Sequence, residues 1–338
     1  MRKFIYSLDE LLDYYKSQGL SYENFPTVGK RHHTIFPLLQ PKITKPIVFY
    51  PYAGEFGSGI AKHLVWFHYY PAEYKIACIP RGYECFFPDA KEFIYDYPGP
   101  KWDEYKGEWW SYDRKHTVMW NKRPSPEDYK GTIHRYFKWK ERSSDKDRLV
   151  FKKYIRSTHP DPIFIYTPMV GPREPITGLP IRTFAKIPFK TSNKYGIKVD
   201  VVIANRYLAK DKHSYQKWPE TIKYLQSKGL TVGGIGRQGF IFEGLNILHN
   251  YDYENSNEAS LEMLANAKYF IGTDTGVTHL AMNFTHLKSL LFRLKDGTQD
   301  WISMYSNQNT RFIEEMTWGL ERFNDEKLLF KHIDEFFV

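Results

Sequence analysis

The chain has 338 residues, a formal charge of +9, 42% hydrophobic residues and 17% aromatic residues. That length calls for two cores rather than one, and 24 Phe, 26 Tyr and 9 Trp exclude a disordered chain. Two cysteines, Cys78 and Cys85, exclude a disulfide scaffold and point to a reducing cytosol. No run approaches the roughly 18 consecutive apolar residues of a membrane span.

The first 19 residues carry Asp9, Glu10 and Asp13 among apolar positions, so they read as a short amphipathic helix without a secretory core. Lys45–Tyr50 is a short apolar strand running into a glycine-rich turn, Ala53–Gly59, and a helix from Ile60 to Tyr70 stopped by Pro71. Strands follow at Tyr74–Ile79, Glu92–Tyr95 and Pro162–Thr167. Strand, helix, strand in this order predicts parallel βαβ units.

Between the last two of those strands the charge concentrates. Residues 101–160 hold sixteen Lys or Arg against nine Asp or Glu, and five of the nine tryptophans. Pro124 and Pro126 break the segment, and it shows little sustained period. Two readings stand: a solvated, loop-rich insertion, or an acceptor surface on which cations such as Arg114 and Lys115 hold phosphates while rings such as Trp109 and Trp110 stack.

A second alternating series starts at Val199–Ala204. Pro219 suits the first turn of a helix ending near Lys228, with Gly229 as its C-terminal cap. Strands are expected at Thr231–Gly236, Leu245–Leu248, Tyr269–Ile271 and Ser289–Phe292, with a helix at about Ser260–Ala267. The reading is α/β: two doubly wound domains, 1–190 and 191–338, joined near 185–197 and facing a cleft. The C-terminal helix is a candidate to pack back on the first domain.

Leu261–Phe284, LEMLANAKYFIGTDTGVTHLAMNF, is the most informative stretch. A helix, a buried strand, a tight turn and a new helix succeed one another. Gly272 and Gly276 permit close backbone approach, the amides opening the second helix are anion donors, and Thr273 and Thr275 add hydroxyls. His279 lies one helical turn beyond Thr275 and can face the same ligand. Asp274 either caps the helix at Thr278 or binds a ribose or sugar hydroxyl. The chemistry suits a nucleotide phosphate; an ordinary strand-to-helix turn is the alternative.

This stretch resembles the signature of the heptosyltransferase-type, family 9-like glycosyltransferases of the GT-B fold. Gln216-Lys217-Trp218-Pro219-Glu220 resembles that family's basic-Trp-Pro element, and Gly233–Gly236 falls where the family has a glycine-bearing loop. The resemblance covers about residues 198–292. It implies two Rossmann-like domains and an inverting, metal-independent transfer of a hexosyl, pentosyl or heptosyl group from a UDP- or ADP-type nucleotide sugar, with no other cofactor. By this resemblance Thr273, Asp274, Thr275, Gly276 and His279 bind the donor, and Lys217 offsets the diphosphate charge, with Lys212 as a substitute because Gln216 stands where the family has lysine. Arg206, Gly236 and Arg237 end strands at the expected cleft.

The first half departs from the family. Its glycine-rich turn normally carries the general base, but Ser58 stands at that position; Glu55 is the nearest carboxylate and the choice for base, with Asp89 and Asp96 in reserve and Gly57 and Ser58 toward the acceptor. The +7 segment, a basic Trp-rich insertion, narrowly favours a large anionic acceptor such as a hydroxymethylated base in phage-type DNA, over lipopolysaccharide or another cell-surface glycan. Peripheral membrane contact follows if the acceptor is lipid-linked. A GT-B-fold sugar-nucleotide epimerase and a non-catalytic binding protein are the further alternatives. The twelve histidines are scattered and no Asp-x-Asp accompanies the nucleotide motif, so no metal is expected.

Overall fold

The computed structural model describes residues 6–19, 36–51, 56, 59–98, 145–165, 183–184, 186–204, 215, 217–236, 245–273, 275–294, 309–316 and 326–337. The chain divides into two compact units, the described residues through Phe189 forming the first and those from Lys190 the second.

In the first unit, β1 (Tyr6–Ser7) pairs in parallel with β6 (Thr183–Phe184). Helix α1 (Leu8–Ser17) follows β1 directly. Its apolar positions recur at helical spacing, and Leu8, Leu11, Leu12 and Tyr15 are the ones it buries. The sheet is built from β2 (Ile47–Phe49), β3 (Lys75–Cys78), β4 (Glu92–Ile94) and β5 (Ile163–Ile165), all parallel in the order β4-β3-β2-β5.

Alternation along β2 sends its side chains to two layers. Phe49 meets the helix that follows the strand: its ring lies 5.0 Å from Phe67 and 6.0 Å from His63. That helix opens as π-helix at Gly59–Leu64 and continues as α2 (Val65–Tyr69). His63 is buried, which pushes its pKa down to about 3. On the other face Val48 and Tyr50 join Ile76, Cys78, Tyr97, Phe151 and Ile155 in one core cluster.

Phe151 and Ile155 come from α3 (Asp145–Thr158). The expected loop-rich insertion over 101–160 is therefore corrected at its end. Residues 145–158 are the helix that precedes β5 and packs on the sheet through two apolar anchors four residues apart. The helix carries five of the segment's sixteen cations and two of its nine acids, so the excess charge of 101–144 is +4. Residues 101–144 lie outside the described residues.

The second unit holds a six-stranded parallel sheet of β7 (Val201–Ala204), β8 (Val232–Ile235), β9 (Leu248–His249), β10 (Tyr269–Gly272), β11 (Lys288–Leu294) and β12 (Thr310–Met316), in the order β12-β11-β10-β7-β8-β9. Continuous burial of β7 and β8 fits a sheet covered on both faces. Helix α4 (Trp218–Ser227) has Pro219 in its first turn and ends at Gly229, whose φ of 76° is the left-handed conformation glycine adopts without penalty.

Two expectations about element bounds are adjusted here. The strand placed at Leu245–Leu248 is at Leu248–His249, because the register pairs Gly233 with Leu248 and Gly234 with His249. Helix α5 runs Ser256–Asn266 and starts four residues early, because Asn255 caps it, its side chain accepting the amides of Asn257 and Glu258. The C-terminal helix, α7 (Glu326–Phe336), packs on its own unit. Leu329, Ile333 and Phe337 enter the core of Val201, Trp218 and Ile271, and Phe330 stacks on Tyr224 at 4.0 Å.

The stretch entering the second unit is tied to α5. Buried Glu262 accepts the amides of Tyr195 (3.0 Å) and Ile197 (2.8 Å), and Asn266 donates to the Ile197 carbonyl at 2.9 Å. Among the described residues no helix is long and apolar enough to cross a membrane.

Candidate functional site

Strand order decides where a ligand fits. In the second sheet the chain starts at β7, adds β8 and β9 on one side, then returns to add β10, β11 and β12 on the other. In doubly wound sheets the binding crevice lies outside the carboxyl ends of the strands where this order reverses, here between β7 and β10. The Gly272–Gly276 turn leaves β10 at that point.

The turn is closed by Thr278, from the short helix α6 (Gly276–Ala281). Its hydroxyl donates to the Thr273 carbonyl at 2.5 Å and lies 3.3 Å from the Thr275 hydroxyl. Thr275 is the N-cap of α6, its side chain accepting the Thr278 amide at 3.3 Å. The cap offered to Asp274 thus belongs to Thr275, and the Thr278 amide, expected among the anion donors, is already bonded within the chain. Asp274 itself lies outside the described residues.

Gly272 is required by space. A Cβ there would come within 2.6 Å of the Phe270 ring and 2.7 Å of the Thr278 hydroxyl. Thr273 is buried, and its hydroxyl has no hydrogen-bond partner among the described residues. A buried hydroxyl is ordinarily bonded, which makes Thr273 the polar group of this turn to examine for a ligand. His279 is half-buried one turn along, its carbonyl accepting from Asn283 at 3.0 Å.

The neighbouring strand end brings Gly236. The register aligns Ile271 with Ile203 and Ile203 with Gly234, so Thr273 and Gly236 stand level, two strand spacings or about 10 Å apart. The Gly236 amide donates to the side chain of Asn250 at 3.2 Å. Lys217 sits at the N-cap position of α4, which is anchored by the fully buried Trp218. Its ammonium is 3.6 Å from Glu220, a partly exposed pair that shares the charge expected to face a diphosphate. Lys212, Arg206 and Arg237 lie outside the described residues.

In the first unit the order reverses between β2 and β5, so the carboxyl end of β2, at Phe49, also stands at a switch point. Glu55, Gly57 and Ser58 lie outside the described residues, as do Trp109, Trp110, Arg114 and Lys115. Of the reserve carboxylates, Asp89 is corrected. It precedes β4 and meets His68 and the start of β3, at the opposite, amino edge of the sheet. His68 bonds Asp89, Lys75 lies 3.7 Å away, and although burial opposes it these partners hold the carboxyl below its usual range. Lys75 in turn donates to the carbonyls of Phe67 and His68, closing the end of α2. Asp89 is a structural anion. Asp96 follows β4 at the carboxyl edge, exposed and 3.6 Å from Arg81.

Sequence reasoning did not single out Thr278 or Asn250 as site residues. Thr278 had a signal in the Thr273-x4-Thr278 spacing; Asn250 had none, because its partners lie 6, 10 and 14 residues away in no local pattern. Among the described residues no three His, Cys, Asp or Glu side chains gather as a metal site.

No protein-family model and no curated protein matches the sequence. Among solved structures, the crystal structure of the glycosyl transferase family 9 from Veillonella parvula is similar over 87% of this chain and 97% of that one, with a TM-score of 0.51 at 8% identity. The fold is of the GT-B glycosyltransferase type. Lower-scoring similarities include E. coli ADP-heptose LPS heptosyltransferase II (TM-score 0.46, 15% identity, 87% of this chain and 98% of that) and E. coli heptosyltransferase WaaC with ADP (TM-score 0.44, 12% identity, 85% and 99%).

Proposed function

We propose that the protein is a glycosyltransferase that moves a sugar from a nucleotide-sugar donor to a hydroxyl of a saccharide acceptor. The observation that carries this reading is a glycine-bounded turn at the point where the strand order reverses, with a buried Thr273 hydroxyl that has no partner among the described residues. The likeness to a family 9 glycosyl transferase supports it at the level of the fold.

In this reading Thr273, Asp274, Thr275, Gly276 and His279 hold the donor's diphosphate and ribose, with Gly236, Arg206, Arg237 and Lys217 beside them. Negative charge grows on the diphosphate as the anomeric C–O bond breaks, and cations and amides there lower the barrier. The acceptor hydroxyl attacks the opposite face of the anomeric carbon and passes its proton to the Glu55 carboxylate, so the products are the inverted glycoside and the nucleoside diphosphate. The donor is of the UDP or ADP type, and no further cofactor takes part.

A hydroxymethylated base in DNA is the second reading, favoured by the five tryptophans and the +4 charge that 101–144 retains. The test is transfer, read by mass spectrometry, with phosphorylated oligosaccharide and with hydroxymethylated duplex as acceptors. Sugar mass gained by the oligosaccharide supports the first reading, and mass gained by the duplex establishes the second. In either case Glu55→Gln should keep donor binding and lose turnover by about 10²-fold. No transfer and no donor turnover would refute both.

A further inference from the structure

We propose that Asn250 is a positioning residue for the donor nucleotide, holding the backbone at Gly236 in the shape the donor meets; the inference rests on the donor-site reading above.

Asn250 follows β9 directly, as Gly236 follows β8, so both stand at the carboxyl edge of the sheet. Its side chain is buried, and it has three partners. Oδ1 accepts the Gly236 amide at 3.2 Å; Nδ2 donates to the Ser260 hydroxyl at 3.0 Å and to the Ser256 carbonyl at 3.4 Å. Ser260 donates its own proton to the Ser256 carbonyl at 2.6 Å, so its oxygen is free to accept from Asn250. That fixes the amide's orientation: the only arrangement giving every group a complementary partner presents Oδ1 to Gly236.

The consequence is geometric. Ile235 is the last residue of β8 paired with β7, and the next amide would ordinarily look for a strand partner or water. Asn250 takes it instead, and so pins the peptide from which the β8–β9 connection departs to the first two turns of α5, where Ser256 and Ser260 lie. Gly236 is level with Thr273 across β7, at a distance a nucleoside diphosphate can span. A buried carboxamide with all its bonds made rigidifies the segment it holds.

The experiment uses the full chain and titrates ADP and UDP as probes by calorimetry, with amide hydrogen exchange at Gly236 measured in parallel. Asn250→Ala should weaken the probe that binds by about five- to tenfold, the effect of one lost hydrogen bond in the site's scaffold, and speed exchange at Gly236. Asn266→Ala is the matched control: it removes side-chain bonds from the same helix, to the Ile197 carbonyl and the Asn193 side chain, without touching Gly236, and should bind as wild type. Should Asn250→Ala fail to fold, Ser260→Ala loosens the carboxamide alone and should weaken binding about two- to threefold. A folded variant with wild-type affinity and wild-type exchange at Gly236, while the wild type binds a probe, overturns the positioning role and leaves the donor reading standing. A wild-type chain that binds neither probe overturns both.

Discussion

Replacing Gly272 by alanine places a methyl group where the chain has no room. The new Cβ would lie 2.6 Å from the Phe270 ring and 2.7 Å from the Thr278 hydroxyl, and both side chains are fully buried. Phe270 is held in the interior, so the Thr278 hydroxyl is the atom with more freedom to yield. Yielding breaks its 2.5 Å bond to the Thr273 carbonyl, and with it the closure of the turn. Overpacking a tight interior costs about 1–3 kcal/mol, and a lost buried hydrogen bond about 1 kcal/mol more, so Gly272→Ala should destabilise by about 2–4 kcal/mol. Urea unfolding followed by tryptophan fluorescence measures it. Gly233→Ala is the comparison, since its nearest contact is 3.2 Å to a Val199 methyl and the effect should be smaller. A Gly272→Ala loss below about 0.5 kcal/mol would refute the argument that close approach fixes this residue.

Other consequences concern buried polar groups. His63 is held neutral, with its pKa near 3 against 6.5 unfolded, so below pH 6.5 the unfolded chain binds the proton and the native one does not. Stability should therefore fall as pH drops from about 6.5 toward 3, by about 1.4 kcal/mol per unit, and His63→Phe should flatten that slope in urea titrations at pH 7, 6 and 5. His249 adds the same sign, its pKa also lowered by burial. Glu262→Ala strands the amides of Tyr195 and Ile197 and should cost about 2–4 kcal/mol, read as a lower urea midpoint with unchanged slope.

What the sequence made legible were features whose cause is local. Pro219 and Gly229 bracket α4 because each fixes a backbone angle at its own position. The apolar runs of β2, β3, β7 and β8 showed themselves because both faces of each strand are covered. The strand at Leu248–His249 was misplaced by its histidine: His249 is buried because Asp252 accepts its amide and its own ring accepts the Tyr251 amide, a device that apolar patterning does not see. α3 escapes apolar patterning because, of its described residues, Phe151 and Ile155 alone enter the core, among charges.

The site divides the same way. The Gly272–His279 turn was legible because glycines, threonines and a histidine crowd into eight residues. Asn250 and Glu262 were not, since a buried polar residue announces itself only through partners brought in from far along the chain. Asp89 precedes β4 and so lies at the amino edge of the parallel sheet, where His68 and Lys75 meet it, whereas Asp96 follows β4 at the carboxyl edge.

In the proposed function the turn leaving β10 binds a nucleotide sugar. Calorimetric titration of a panel of UDP- and ADP-sugars into wild type, Thr273→Val and His279→Ala tests it most directly. One donor should bind the wild type, with affinity reduced at least about tenfold in each variant, because each removes a polar group from the site. A wild type that binds none of the panel, or variants that bind as tightly as it does, would contradict it.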